Sequence, residues 1–224
     1  MSRKPLHKVI DWKKIDTVLL DMDGTLLDLH FDNYFWREHV PQRFAEKHGI
    51  GLEQARIEVY GRYQSVRGTM QWYSVDYWTD ELDLDIALLK KEVDHLIAVH
   101  PHVVDFLRAV REAGKRALLV TNAHGKSLDL KMGRTELGKH LDRLICAHDL
   151  GVPKEDVDFW EKLKDVEEYR PERTLLIDDN PEVLVSARTY GIRYLLAVAK
   201  PDTQEPPRDP QGFDTLLSFA DLIP

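Results

Sequence analysis

Two aspartates stand two residues apart in Asp21-Met22-Asp23-Gly24-Thr25, directly after the apolar run at residues 17–20. In an extended chain, positions two apart point the same way. Both carboxylates could therefore face one reacting atom, where such groups act as nucleophile, as acid and base, or as metal ligands. Gly24 lets the backbone turn sharply, and Thr25 can fix that turn by a local hydrogen bond. A strand followed by an Asx-type turn explains the same five residues equally well. The decision has to come from the rest of the chain.

Three further groups have the types expected around an anion. Thr121-Asn122 offers a hydroxyl and an amide suited to phosphate oxygens. Lys154 closes Gly151-Val152-Pro153-Lys154, and Asp178-Asp179 places two acids side by side. Singly, each is explained by a helix cap, a turn or a solvated lysine. The elements that precede them change that reading. Short continuous apolar runs at 17–21, 116–121, 143–147, 174–178 and 194–198 read as strands buried on both faces. Amphipathic stretches at 102–113, 126–137, 155–166 and 181–190 read as helices between them. Pro181 suits a first helical position, and Gly114 and Gly191 suit helix ends. Strand–helix alternation predicts an α/β fold with a doubly wound parallel sheet and right-handed crossovers. Such sheets bind ligands at the carboxyl ends of their strands. Asp21, Asp23, Thr121, Asn122, Lys154, Asp178 and Asp179 all fall there, on one edge of one sheet.

One interval breaks the rhythm. About 100 residues separate the first two strands, where a βαβ unit needs roughly 30. The surplus reads as helices at 33–48, 52–66, 72–84 and 85–97. The expected organisation is a catalytic core of residues 1–30 and 100–224 with an inserted helical cap at 31–99. Residues 200–212, with Pro201, Pro206, Pro207 and Pro210, are expected to form an irregular surface loop, and 213–223 to pack back on the core.

The chain has 224 residues and a formal net charge of −8. That charge gives no general attraction for a nucleic-acid polymer. No apolar run approaches the ~20 residues that span a bilayer, so no membrane association is expected. Residues 1–16 are polar and lack the apolar stretch of a signal peptide. Cys146 is the only cysteine, which excludes an intrachain disulfide and a thiolate metal cluster; it reads as inert core. A cytoplasmic location follows as the expectation.

In order and spacing, these motifs resemble the haloacid dehalogenase (HAD) superfamily. Residues 21–25 look like its first motif, Thr121 its second, Lys154 its third and Asp178-Asp179 its fourth, with the inserted helices as its cap. An acid at Asp23 fits the phosphatase branches rather than the true dehalogenases. Residues 31–36, 72–78, 121–124 and 151–156 resemble the bacterial GMP/IMP nucleotidase branch. The resemblance implies a Mg²⁺-dependent phosphatase acting on purine nucleoside 5′-monophosphates. Asp21 would be the nucleophile that forms an aspartyl-phosphate, and Asp23 the acid and then the base. Thr121 and the Asn122 backbone N–H would hold phosphate oxygens, and Lys154 would balance charge. The metal ligands would be Asp21, the Asp23 backbone carbonyl and the Asp178-Asp179 pair, with Asp179 the direct one. A small sugar-phosphate or phosphoglycolate-type phosphatase or phosphomutase of the same superfamily is the alternative. A binder without activity is disfavoured because Asp21 and Asp23 are both present.

Eleven of the 20 aromatic residues lie between Phe31 and Trp78. A ring stacked on a base contributes ~1–3 kcal/mol. Most of these rings are expected in the cap's own core, and two or three facing the cleft would suffice. Asn33, Asp76 and Arg67 are candidates to read ring edges. His124 could reach substrate; Arg62, Arg67 and Lys126 could include a nucleotide contact, but each is expected to be solvated surface.

Overall fold

The computed structural model describes residues 10–224; the charged stretch at 1–9, assigned above to the core and read as lacking a signal peptide, lies outside them. Six parallel strands form one sheet in the order β3-β2-β1-β4-β5-β6. They are β1 (Thr17–Leu20), β2 (Arg116–Thr121), β3 (Arg143–Cys146), β4 (Thr174–Asp178), β5 (Tyr194–Val198) and β6 (Asp214–Leu216). β1 is central, between β2 and β4, so the order reverses beside it. The α/β doubly wound expectation is met.

The apolar runs are continuous because both faces of the sheet are covered. Val18, Leu20, Leu119 and Ile177 join one core cluster, whereas Leu19, Leu118, Val120 and Leu176 join the other. One helix, Val103–Glu112, covers the first face through Phe106 and Val110. Two helices, Asp158–Val166 and Pro181–Tyr190, cover the second through Trp160, Leu163 and Leu184. β6 was not expected as a strand. Only one of its three residues is buried, too little for a period-2 pattern.

Between β1 and β2 the chain is helical: His30–Tyr34, a π turn at Phe35–His39, Val40–His48, Leu52–Ser65, Met70–Tyr73, Val75–Leu82 and Ile86–Glu92. The helix expected at 72–84 is two helices, divided at Ser74, whose Oγ caps the second by accepting from the Tyr77 N–H at 3.1 Å. An antiparallel bridge between Leu27 and Val99 brings the ends of this interval together beside β1. The proline-rich loop is irregular and mostly exposed, as expected, except at its start. Pro201 and Asp202 are buried. The Pro201 carbonyl accepts from the Leu29 N–H at 2.8 Å, and Asp202 accepts from the Asn33 amide at 2.7 Å. The loop therefore satisfies donors where the helical interval begins.

Candidate active site

β1 and β4 pair with Leu20 opposite Ile177. Continuing that register sets Asp21 beside Asp178, at the carboxyl end where the strand order reverses. Gly24 then turns the chain with φ +86°, and a Cβ there would come within 2.7 Å of Asp179 Cγ. The first and fourth strand-end loops meet this closely only because position 24 has no side chain.

The Lys154 ammonium, 2 % exposed, sits between two of the carboxylates. It donates to Asp21 Oδ1 at 2.5 Å and to Asp178 Oδ2 at 2.7 Å. Asp178 Oδ1 accepts from the Asn180 N–H at 2.9 Å, so both its oxygens are engaged. Among the described residues Asp179 accepts only from Arg208, at 3.1 Å, a residue of the loop after β5. Asp21, Asp178 and Asp179 each offer an oxygen within 4.8 Å of the others.

The electrostatics follow from three acids around one buried cation. Burial pushes the Asp21 carboxyl up to about 7; Lys154 opposes this and Asp178 adds to it. Burial, then Asp21 and Asp178, hold Asp179 well above the usual carboxylate range. Burial works against the Lys154 ammonium, but Asp178 and Asp21 outweigh it and raise its pKa. Three carboxyl groups thus face one cation, and a second cation would let all of them ionise. Hard oxygen donors fit a small divalent cation such as Mg²⁺.

Asp23 turns elsewhere. Its Oδ1 accepts from Lys131 Nζ at 2.6 Å, and Lys131 also donates to Asp32 at 2.7 Å. Burial pushes Asp23 up to about 6 against the pull of Lys131. Thr121 is buried, its Oγ1 accepting from the Ala123 N–H at 3.0 Å. The Asn122 side chain is held by its neighbours. Its Nδ2 donates to Glu155 Oε2 at 2.8 Å and its Oδ1 accepts from the Lys154 N–H at 2.9 Å. One amide hydrogen is thereby engaged, and the backbone N–H is a further donor at this position. Glu155 also accepts from Tyr73 at 2.6 Å and Asn180 at 3.0 Å, so it links the helical interval to three strand ends.

A cavity of about 990 Å³ opens above these groups. Asp21, Asp23, Thr121, Lys154 and Asp179 line its floor, and Trp36, Tyr63, Trp72, Tyr73 and Trp78 line a wall. Trp36, Trp72 and Tyr73 are half-buried, while Phe31, Phe35 and Phe44 are core, as expected of most rings. Of the candidate edge readers, Asn33 is spent on Asp202 and Asp76 pairs with Lys126 at 2.5 Å. Arg67 also lines the cavity. Among the described residues it is the lining lysine or arginine that makes no ion pair; Arg37, Lys90, Lys154 and Arg208 all face carboxylates. His124 caps a helix by accepting from the Lys126 N–H. Arg62 lies against Phe44 and the Glu81 carbonyl. Lys131, Asp32, Lys90 and Arg208 escaped the sequence reading; none stands at a strand end, and lysine on a helix ordinarily means solvent. Glu155 lay within the 151–156 motif but was given no role there.

A family model of haloacid dehalogenase-like hydrolases matches residues 15–191. The GMP/IMP nucleotidase YrfG of Escherichia coli (strain K12) is 40% identical over 219 residues, covering 98% of this chain and 99% of that protein. Enolase-phosphatase E1 of Aquifex aeolicus is 23% identical over 228 residues, covering 93% and 99%. Among solved structures, a HAD phosphatase from Thermococcus onnurineus superposes with TM-score 0.76 at 20% identity, covering 93% of this chain and 96% of that one. L-2-haloacid dehalogenase from Xanthobacter autotrophicus superposes with TM-score 0.58 at 15% identity, over 93% and 96%; at these identities the likeness is one of fold.

Proposed function

The chain belongs to the haloacid dehalogenase-like hydrolase family and is a phosphomonoester hydrolase, and from that premise we propose that it cleaves purine nucleoside 5′-monophosphates of the GMP/IMP type. The observation that carries this reading is the single cavity joining the carboxylate floor to an aromatic wall and the unpaired Arg67. Its volume falls in the range of small-molecule sites. Half-buried rings suit a flat base. A free guanidinium suits the O6 and N7 acceptors of a 6-oxopurine, an edge worth ~1–3 kcal/mol over the wrong base. An adenine presents an amino group in place of O6 and would leave one of those donors unmet.

Asp21 Oδ attacks phosphorus in line, the ester P–O bond breaks, and an aspartyl-phosphate forms. Asp23 gives its proton to the departing 5′-oxygen, then takes one from the water that cleaves the acyl phosphate. Burial supports an Asp23 that starts protonated. Thr121 and the Asn122 N–H hold phosphoryl oxygens, and Lys154 faces the charge that develops beside Asp21. Mg²⁺ would be held by Asp21, the Asp23 carbonyl and Asp179, whose carboxylate is less engaged than that of Asp178, and would neutralise the repulsion between carboxylate and phosphate. Residues 31–99 act as the cap that selects the substrate.

The test is kcat/KM with Mg²⁺ for GMP, IMP, AMP, CMP and hexose 6-phosphates, on wild type and Arg67→Met. GMP and IMP should lead, and the variant should lose at least about tenfold of their advantage over AMP, the size of one bidentate base contact. A sugar phosphate with the highest kcat/KM would refute the nucleotide assignment and favour the sugar-phosphate alternative.

A further inference from the structure

Lys131 is 1 % exposed and has no part in the steps above. It lies on the helix Gly125–Thr135, which follows β2. Its Nζ donates to Asp23 at 2.6 Å and to Asp32 at 2.7 Å. Asp32 belongs to the helical interval, and its other oxygen accepts from Lys90 Nζ at 3.2 Å. The Lys90 Nζ in turn lies 4.4 Å from the centre of the Phe35 ring and 5.0 Å from that of Phe31. Two ammonium groups and two carboxylates therefore alternate in a line from the catalytic loop to the rings of the helical interval. Every charge in it is partly or wholly out of water, so each group needs its neighbour.

Among the described residues, no side chain except Lys131 donates to the Asp23 carboxylate. A short side chain held by one charge-assisted bond keeps its second oxygen free and aimed. We propose that Lys131 is a positioning residue for Asp23 and that Asp32 anchors it to the helical interval, so that the seating of that interval sets the aim of the acid. The proposal rests on the reading of Asp23 as acid and base. It is independent of which phosphate ester is the substrate.

Leaving-group dependence separates positioning from support of the fold. An alkoxide leaves only with a proton, whereas p-nitrophenolate leaves without one. Acid–base groups contribute about 10²–10⁴-fold, and an error of about 1 Å can cost 10²-fold. Lys131→Met should therefore lower kcat/KM for GMP and glycerol 2-phosphate by about 10²-fold. Its effect on p-nitrophenyl phosphate should stay within about threefold, because that ester bypasses the acid. Asp32→Asn, which keeps both Asp23 and its Lys131 donor, should discriminate in the same direction by about tenfold, and it decides the matter if Lys131→Met does not fold. Asp23→Asn serves as reference. Equal losses on both ester types, or no loss, in the Lys131 and Asp32 variants would overturn the positioning role. If Asp23→Asn also fails to discriminate, the acid–base reading falls with it.

Discussion

Gly24→Ala probes how closely the two acidic loops must approach. A Cβ at position 24 would lie 2.7 Å from Asp179 Cγ, 2.8 Å from its Oδ2 and 2.9 Å from Pro201 Cβ. Ordinary carbon contacts are about 3.5–4.0 Å, so something must shift by about 1 Å. Pro201 is a buried ring whose carbonyl is bonded to Leu29; the Asp179 carboxylate is the softer partner. The backbone adds a second cost, since φ at Gly24 is +86° and an L-residue in left-handed geometry loses about 1–2 kcal/mol. With about 1–3 kcal/mol for overpacking, the expected loss is about 2–5 kcal/mol. At this chain length that is a fall in Tm of about 5–15 °C. The displaced Asp179 should weaken Mg²⁺ binding measured by calorimetry on the folded variant. A shift of about 1 Å should lower kcat/KM by about 10²-fold. A folded Gly24→Ala variant with wild-type Mg²⁺ affinity would refute the claim that Asp179 must sit against this glycine.

Asp21→Asn should keep the fold and abolish turnover, because an amide cannot form the acyl phosphate; more than about 1% residual activity without deamidation would remove Asp21 from that role. Carboxyls pushed up to about 7 at Asp21 and about 6 at Asp23 bind protons in the folded state that the unfolded chain has released. Metal-free protein should therefore lose stability as pH rises from about 4 to 7, by an amount on the order of a few kcal/mol. Melting in EDTA across that range checks the sign, and Mg²⁺ should restore more at pH 8 than at pH 5; a flat profile would contradict it. Lys154→Met should cost about 3–5 kcal/mol at pH 8 by leaving buried carboxylates uncompensated. The loss should shrink at pH 5, where those acids take up protons, and denaturant melts at the two pH values compare them directly.

The parallel sheet and the gathering of four polar strand-end groups on one edge were legible in the sequence because both are written locally. A strand buried on both faces must be an unbroken apolar run, and its polar groups must stand at its last residue or just beyond, as at Asp21, Thr121 and Asp178. Parallel winding then puts those ends on one edge without further information. Lys154 was legible for the same reason, as the cation soon after the third strand. Partners were not legible. Lys131 reaches Asp23 and Asp32 across 108 and 99 residues of chain, and Lys90 reaches Asp32 across 58. In one dimension these are lysines on helices, which solvent usually claims; only packing removes the water and makes each charge depend on the next. The same holds for the polar side chains of the helical interval. Asn33, Asp76 and Arg67 were equivalent as polar residues in the helical interval, until Asp202 and Lys126 took the first two and left Arg67 facing the cavity. Chain spacing decides which face and which edge a side chain occupies. Which charge it shares is decided by ångström-scale distance between segments, and that distance exists only once the chain has folded.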